Sequence, residues 1–154
     1  MIIIKNTQRK IKLDAKHIQT VAQKILNELD YSDFDLGIWL TTSATIRKYN
    51  RDFRNKDKAT DILSFPYHYG LKPGKKIKIV EEEDKNIGDI IIAIDFVDEL
   101  LPLYKVTLKQ RLPILLVHGI CHLVGYTHYD EDNDEKMSTL ERKIAKKLNL
   151  IRET

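Results

Sequence analysis

At 154 residues the chain has the length of one domain with a single core, and its 42% hydrophobic and 32% charged content is that of ordinary globular proteins. Met1 to Ile4 is too short for a signal-peptide core, no run approaches membrane-spanning length, and the lone Cys121 rules out an intrachain disulfide framework, so a cytoplasmic protein with no membrane partner is expected. A net charge of +3 does not by itself mark a nucleic-acid binder.

Ile2 to Ile4 reads as a short strand. Asp14 caps a helix whose apolar residues Ile18, Val21, Ala22, Ile25 and Leu29 recur at helical spacing. Phe34, Leu36, Ile38 and Leu40 alternate with Asp35, Gly37, Trp39 and Thr41, the two-residue period of a half-buried strand. Ser43 is expected to cap a second helix with Ile46, Tyr49 and Phe53 on one side. That helix carries most of a basic stretch, Arg47, Lys48, Arg51, Arg54, Lys56 and Lys58 against Asp52 and Asp57. Such a stretch supplies a footprint for phosphates if it faces the reaction centre. Ile62 to Phe65 is a short strand stopped by Pro66, and the Lys-rich segment around Pro73-Gly74 is a loop. The apolar run Ile90 to Ile94 fits a strand buried on both faces. A short helix from Asp95 to Leu101 follows, ahead of Pro102. Ile114 to Val124 is nearly all apolar apart from two histidines, and Pro113 either opens this helix or kinks a longer one begun near Thr107. The last helix, from about Asp134, presents Met137, Leu140, Ile144, Ala145 and Leu148 on one face. Without repeats, low-complexity segments or a linker, residues 1–154 read as a single α+β domain.

His118-Gly-Ile-Cys-His122-Leu-Val-Gly-Tyr-Thr-His128 carries the chemistry. Residues four apart on a helix share a face, so the imidazoles of His118 and His122 can reach one metal ion. Gly125 provides the left-handed backbone that ends a helix and lets the chain return His128 as a third ligand. Three neutral nitrogens leave a fourth position open, which is a catalytic rather than a structural arrangement; geometry favours zinc, and imidazoles also suit nickel, copper and iron. An apolar helix would otherwise bury two imidazoles at a cost, which a shared metal removes. His17, on the polar side of the first helix, and His68, in a loop, are not expected to bind metal. The spacing equals that of many zinc peptidases, but those place a glutamate after the first histidine as general base, and here the position is Gly119.

The segment is similar to the signature of the YbeY endoribonucleases, bacterial rRNA maturation factors. A second stretch resembles the same family: Asn50-x-x-Phe53-Arg54-x-Lys56-Asp57-x-x-Thr60-Asp61-Ile62-Leu63-Ser64-Phe65-Pro66, and Gly88-Asp89-Ile90 is similar to its central strand. The resemblance implies a metal-dependent endoribonuclease of single-stranded RNA in ribosomal RNA maturation and ribosome quality control. Its partners would be ribosomal RNA and the small ribosomal subunit. It further implies an α+β fold with a mixed four-stranded sheet and about five helices, the metal-binding helix lying near the C-terminus. By position, His118, His122 and His128 are the metal ligands and Arg54 is the functional arginine of the active-site cleft. The chain departs from the family at Cys121, usually leucine, and at Thr127, usually aspartate. Cys121 is turned away from the His118–His122 face and is expected to pack in the core. Thr127 can hold a water but cannot act as a base near neutral pH, which leaves the general base open.

A zinc ion lowers the pKa of a bound water to about 7, and Arg54 would hold the phosphate and stabilise charge developing on it. Thr60, Asp61 and Ser64 either line the same cleft or serve the turn and strand. Trp39 and Tyr126 either stack on unpaired bases or bury against the sheet and the helix end. Two other classes compete. A zinc hydrolase of another substrate, such as a peptidase, is disfavoured by Gly119, and a ribosome-associated binding module with a mainly structural metal is disfavoured by the open position.

Overall fold

The computed structural model describes residues 1–150, so the last four residues of the domain expected over 1–154 lie outside the described residues. Four strands form one sheet in the order β1-β2-β4-β3: β1 (Ile2–Asn6), β2 (Asp35–Thr41), β3 (Ile62–Pro66) and β4 (Asn86–Ala93). The first three neighbours run parallel and β3 is the antiparallel edge, giving the mixed sheet of an α+β domain. Among the described residues five α-helices complete it: α1 (Ala15–Glu28), α2 (Ser43–Arg54), α3 (Ile94–Tyr104), α4 (Leu108–Leu123) and α5 (Glu131–Lys147).

Strand alternation divides the apolar residues between two faces. Leu36, Ile38 and Leu40 of β2 and Ile90 and Ile92 of β4 join the main core, where α1, α4 and α5 pack. Leu63, Ile91 and Ala93 point the other way into a smaller cluster with Ile46 of α2, edged by Trp39, Tyr49, Phe65 and Phe96. The run at Ile90 is thus covered on both sides, as its unbroken apolar sequence predicts. Ser64 pairs in register with Ile90, so it faces α4, and Phe65, beside Asp89, faces α2.

Several boundaries differ from expectation for local reasons. Ser43 does not cap α2. It is the first helical residue, and its free N–H is taken instead by Asp95 Oδ1 at 2.8 Å, from the first turn of α3. Strand β4 ends at Ala93, so Ile94 opens α3 rather than ending the strand. Pro102 sits inside α3, near its C-terminal end, rather than stopping it. Of the two possibilities at Pro113, the longer helix is the one formed: Thr107 Oγ1 accepts from Gln110 N while Gln110 Oε1 accepts from Thr107 N, a capping box that starts α4 at Leu108, five residues before the proline. Helix α5 starts at Glu131, not Asp134. Asp130 accepts from Asn133 N at 2.8 Å, and Glu131, Asp132 and Asp134 stand in a first turn that favours negative charge.

Candidate metal centre

Helix α4 is almost entirely enclosed, lying between the sheet, α1 and α5, and it ends at the site. Gly125 follows with φ +101°, and a Cβ there would run into the Leu71 carbonyl oxygen. This conformation, which favours glycine, turns the chain so that Tyr126 O accepts from His122 Nδ1 at 2.8 Å and His128 comes back toward the helix. His118, His122 and His128 then present one ligand atom each, all within 4.8 Å of one another.

The outer nitrogen of every ring is occupied. His118 Nδ1 donates to Glu141 Oε2 at 3.0 Å, His122 Nδ1 to Tyr126 O, and His128 Nδ1 to Asp134 Oδ1 at 2.6 Å. Carboxylate and carbonyl oxygens only accept, so each Nδ1 carries a hydrogen, which leaves the Nε2 side of the rings for a metal ion. Burial, with His118 close by, pushes the His122 pKa down to about 4, so this ring is neutral at physiological pH. Nε2 of His118 and of His122 face each other at 3.1 Å. Tetrahedral zinc with bonds of about 2.0–2.1 Å would set two ligand nitrogens about 3.3–3.4 Å apart, close to that separation. The donor set therefore fits a metal ion of the zinc type.

Two of the three groups that hold the rings are carboxylates supplied by α5. Glu141 lies within the stripe Met137, Leu140, Ile144 that packs α5 onto the core, with its side chain 16% exposed. A charged residue embedded in an apolar stripe was the available sequence signal for it. Asp134 gives His128 the carboxylate that Thr127, half-buried in the preceding turn, does not. Glu141→Gln should weaken metal binding about 10- to 100-fold, the scale for losing a partner that orients a ligand. Competition with a chromogenic chelator measures it, and an unchanged affinity would reduce Glu141 to a space-filling residue. Stripping the metal from wild-type protein should lower its melting temperature, since an ion at 100 times its Kd contributes about 2.7 kcal/mol to the native state alone. An unmoved transition after verified metal loss would sever the helix end from the site.

The other predicted residues are distributed as follows. Cys121 is fully buried and its thiol is pushed far up by that burial, in keeping with a packing role. His68 pairs with the Asp84 carbonyl and His17 opens α1, both away from the cluster. Ser64 Oγ donates to Gly119 O at 3.2 Å, tying β3 to α4 beside His118. Asp61, Arg111, Ile62, Ile114, Leu115 and Glu141 line a cavity of about 370 Å³ that abuts His118. Thr60 donates to Asp61. Trp39 donates from its ring nitrogen to Thr7 Oγ1 and meets Tyr49 edge-on, while Tyr126 packs partly buried on the core. Arg54 stands apart: it is the exposed last residue of α2, a helix on the opposite face of the sheet from α4, and is not among the residues lining that cavity. Its segment is nonetheless fixed, because Asn50, buried in α2, donates to Lys58 O at 2.9 Å and so holds the loop from Arg54 to β3.

Gly119 faces the strands, not the histidines. A Cβ there would lie 2.9 Å from Ile62 Cδ1, 3.0 Å from Ile90 Cδ1 and 3.2 Å from Ser64 Oγ. The residue after His118 is thus where α4 touches the sheet.

Comparisons with known proteins place the chain in a family. The family model for Endoribonuclease YbeY matches residues 3–149. The chain is 29% identical over 157 residues to Endoribonuclease YbeY of Caldicellulosiruptor bescii, covering 98% of this chain and 99% of that protein. It is 36% identical over 138 residues to the Sulfurihydrogenibium sp. protein of the same name, covering 89% and 85%. The Homo sapiens Endoribonuclease YbeY is 29% identical over 147 residues, covering 96% and 87%. Among solved structures, that of TM1509 from Thermotoga maritima aligns with a TM-score of 0.56 at 22% identity, over 97% of this chain and 92% of that one, and so shares the fold.

Proposed function

This chain belongs to the YbeY endoribonuclease family, and from that premise we propose that it is a zinc-dependent endoribonuclease that cuts single-stranded RNA in ribosomal RNA maturation and ribosome quality control. The observation that supports this best is the ring of three inward Nε2 atoms, each fixed by a partner on its Nδ1. His118, His122 and His128 would hold the ion, which supplies a water nucleophile at neutral pH and an electrophile for a phosphoryl oxygen. Glu141 and Asp134 keep two of the rings oriented, and Arg54, reaching past the edge strand β3, would hold the phosphate. Ribosomal RNA and the small ribosomal subunit are the expected partners and the cytoplasm the expected compartment. No helix among the described residues is long and apolar enough to cross a membrane.

A peptidase is the weaker choice, because the position of its general base is Gly119, pressed against β3 and β4. The deciding experiment is metal analysis of the purified protein together with cleavage of single-stranded RNA before and after chelation. One ion per chain is expected, with cleavage lost on chelation and restored by zinc. Undiminished cleavage by metal-free protein would refute the proposal.

A further inference from the structure

In the loop between β3 and β4, residues 71–77 lie against the turn that brings His128 back toward α4. At one end the backbone of Leu71 and Lys72 rests on Gly125: a Cβ there would run into the Leu71 carbonyl oxygen and stand 3.3 Å from the carbonyl carbon of Lys72. At the other end Ile77 is buried in the main core and donates its N–H to the Tyr31 hydroxyl at 3.0 Å. Beside it Lys76 Nζ donates to Leu29 O, just past the end of α1, at 3.0 Å. Between these anchors Lys75 N donates to Lys72 O at 3.0 Å, closing a turn in which Gly74 has φ +80°. The segment is a strap, pinned beside α1 and pressed against the end of α4.

The three histidines are not equally secured. His118 and His122 stand on a buried helix, whereas His128 lies in the irregular segment between α4 and α5, its side chain 39% exposed. At its start that segment is backed by a contact between two backbones, Gly125 and Leu71, which cannot yield by a change of rotamer. Release of the strap would free the turn and let His128 drift. Conversely, an ion gripped by His128 would fix the turn and the surface on which the strap sits. Two events that favour one arrangement are coupled, and the coupling is reciprocal. Resting on the metal centre proposed above, we infer that residues 71–77 are a positioning strap, whose docking on Gly125 and metal binding at His128 stabilise each other.

Lys72, Lys75, Lys76 and Lys78 are exposed on or beside the strap, so trypsin reports its opening. Where a segment opens and closes faster than it is cut, the cleavage rate follows the population of the open form. Saturating zinc should slow the cutting of metal-free wild-type protein at these lysines by about 10-fold, a usual size for coupling between sites. Cutting after the exposed Lys56 and Lys58, between α2 and β3, should not change. In the reverse direction, Ile77→Ala should weaken zinc affinity, read by chelator competition, by up to about the same factor, and Ile77→Val should restore most of it. Ile46→Ala opens a comparable hole in the cluster on the other face of the sheet and should keep the wild-type affinity. If Ile77→Ala does not fold, the zinc dependence of cutting in wild-type protein is sufficient. Three results would overturn the strap and leave the metal centre standing: wild-type protein that binds zinc without protection at the strap, a folded Ile77→Ala protein of undiminished affinity, or equal losses in the Ile77→Ala and Ile46→Ala proteins. Wild-type protein that binds no zinc would instead overturn the metal centre, and the strap's role with it.

Discussion

His122→Ala should leave a folded protein that neither retains metal nor cleaves RNA. Of the three proposed ligands it is the one anchored within the helix end itself, its Nδ1 tied to Tyr126 O and its Nε2 set 3.1 Å from that of His118. Two remaining imidazoles cannot define a tetrahedral site, so cleavage should fall to the level of chelated wild type. The melting temperature should also cease to respond to chelator. A pH titration gives an independent readout. In metal-free wild type burial pushes the His122 pKa down to about 4 from the ordinary 6.5 of a histidine, so the unfolded chain binds more protons between those values. Stability should therefore fall as pH drops through that window, and His122→Ala should remove that part of the decline. A variant that kept its zinc and cut RNA at the wild-type rate would dismiss the three-histidine centre.

Arg54→Ala should keep its metal and its melting temperature, yet cut RNA about 10²–10³ times more slowly, the scale for losing one strong donor to charge in a transition state. No metal ligand is touched, and Arg54 is exposed at the end of α2, where truncation leaves no cavity. Arg54→Lys should recover only part of the rate, because a point charge cannot reproduce a two-pronged grip on phosphate. This is the more demanding expectation, since α2 and α4 pack on opposite faces of the sheet and the guanidinium must act around the free edge of β3. A fully active, metal-loaded Arg54→Ala protein would move the phosphate-holding role elsewhere.

The three-histidine cluster was legible in sequence because its geometry is local. One helical turn separates His118 from His122, and the glycine that turns the chain toward His128 lies only three residues before it. The groups that aim them were not all legible, because Glu141 approaches His118 from 23 residues away, through the packing of α5 on α4. The same limit applies to Arg111 and Asp61, brought together only when β3 lies against α4. Strands and helices declared themselves through periodicity, but the placement of β3 as an antiparallel edge beside β4 depends on which edges the other strands leave open. At α5 the misjudged start had a different cause. Glu131, Asp132 and Asp134 add nothing to the apolar period, although acidic residues after a capping aspartate are what a helix N-terminus favours.

The direction in which Gly119 faces bears on how one hydrolase could evolve into another. A single codon change could write the peptidase pattern into this helix by placing glutamate after His118. In this architecture the new carboxylate would be driven between α4 and β3, among the ends of Ile62 and Ile90, rather than toward a scissile peptide. Reaching the peptidase chemistry would first require the helix to rise from the sheet, taking Ser64's bond to Gly119 O and the packing around Ile90 with it. The intermediates on that path would lose stability before gaining any activity. Two catalysts that share a ligand spacing are thus separated by a valley in sequence space whose depth is set by the distance between a helix and a strand.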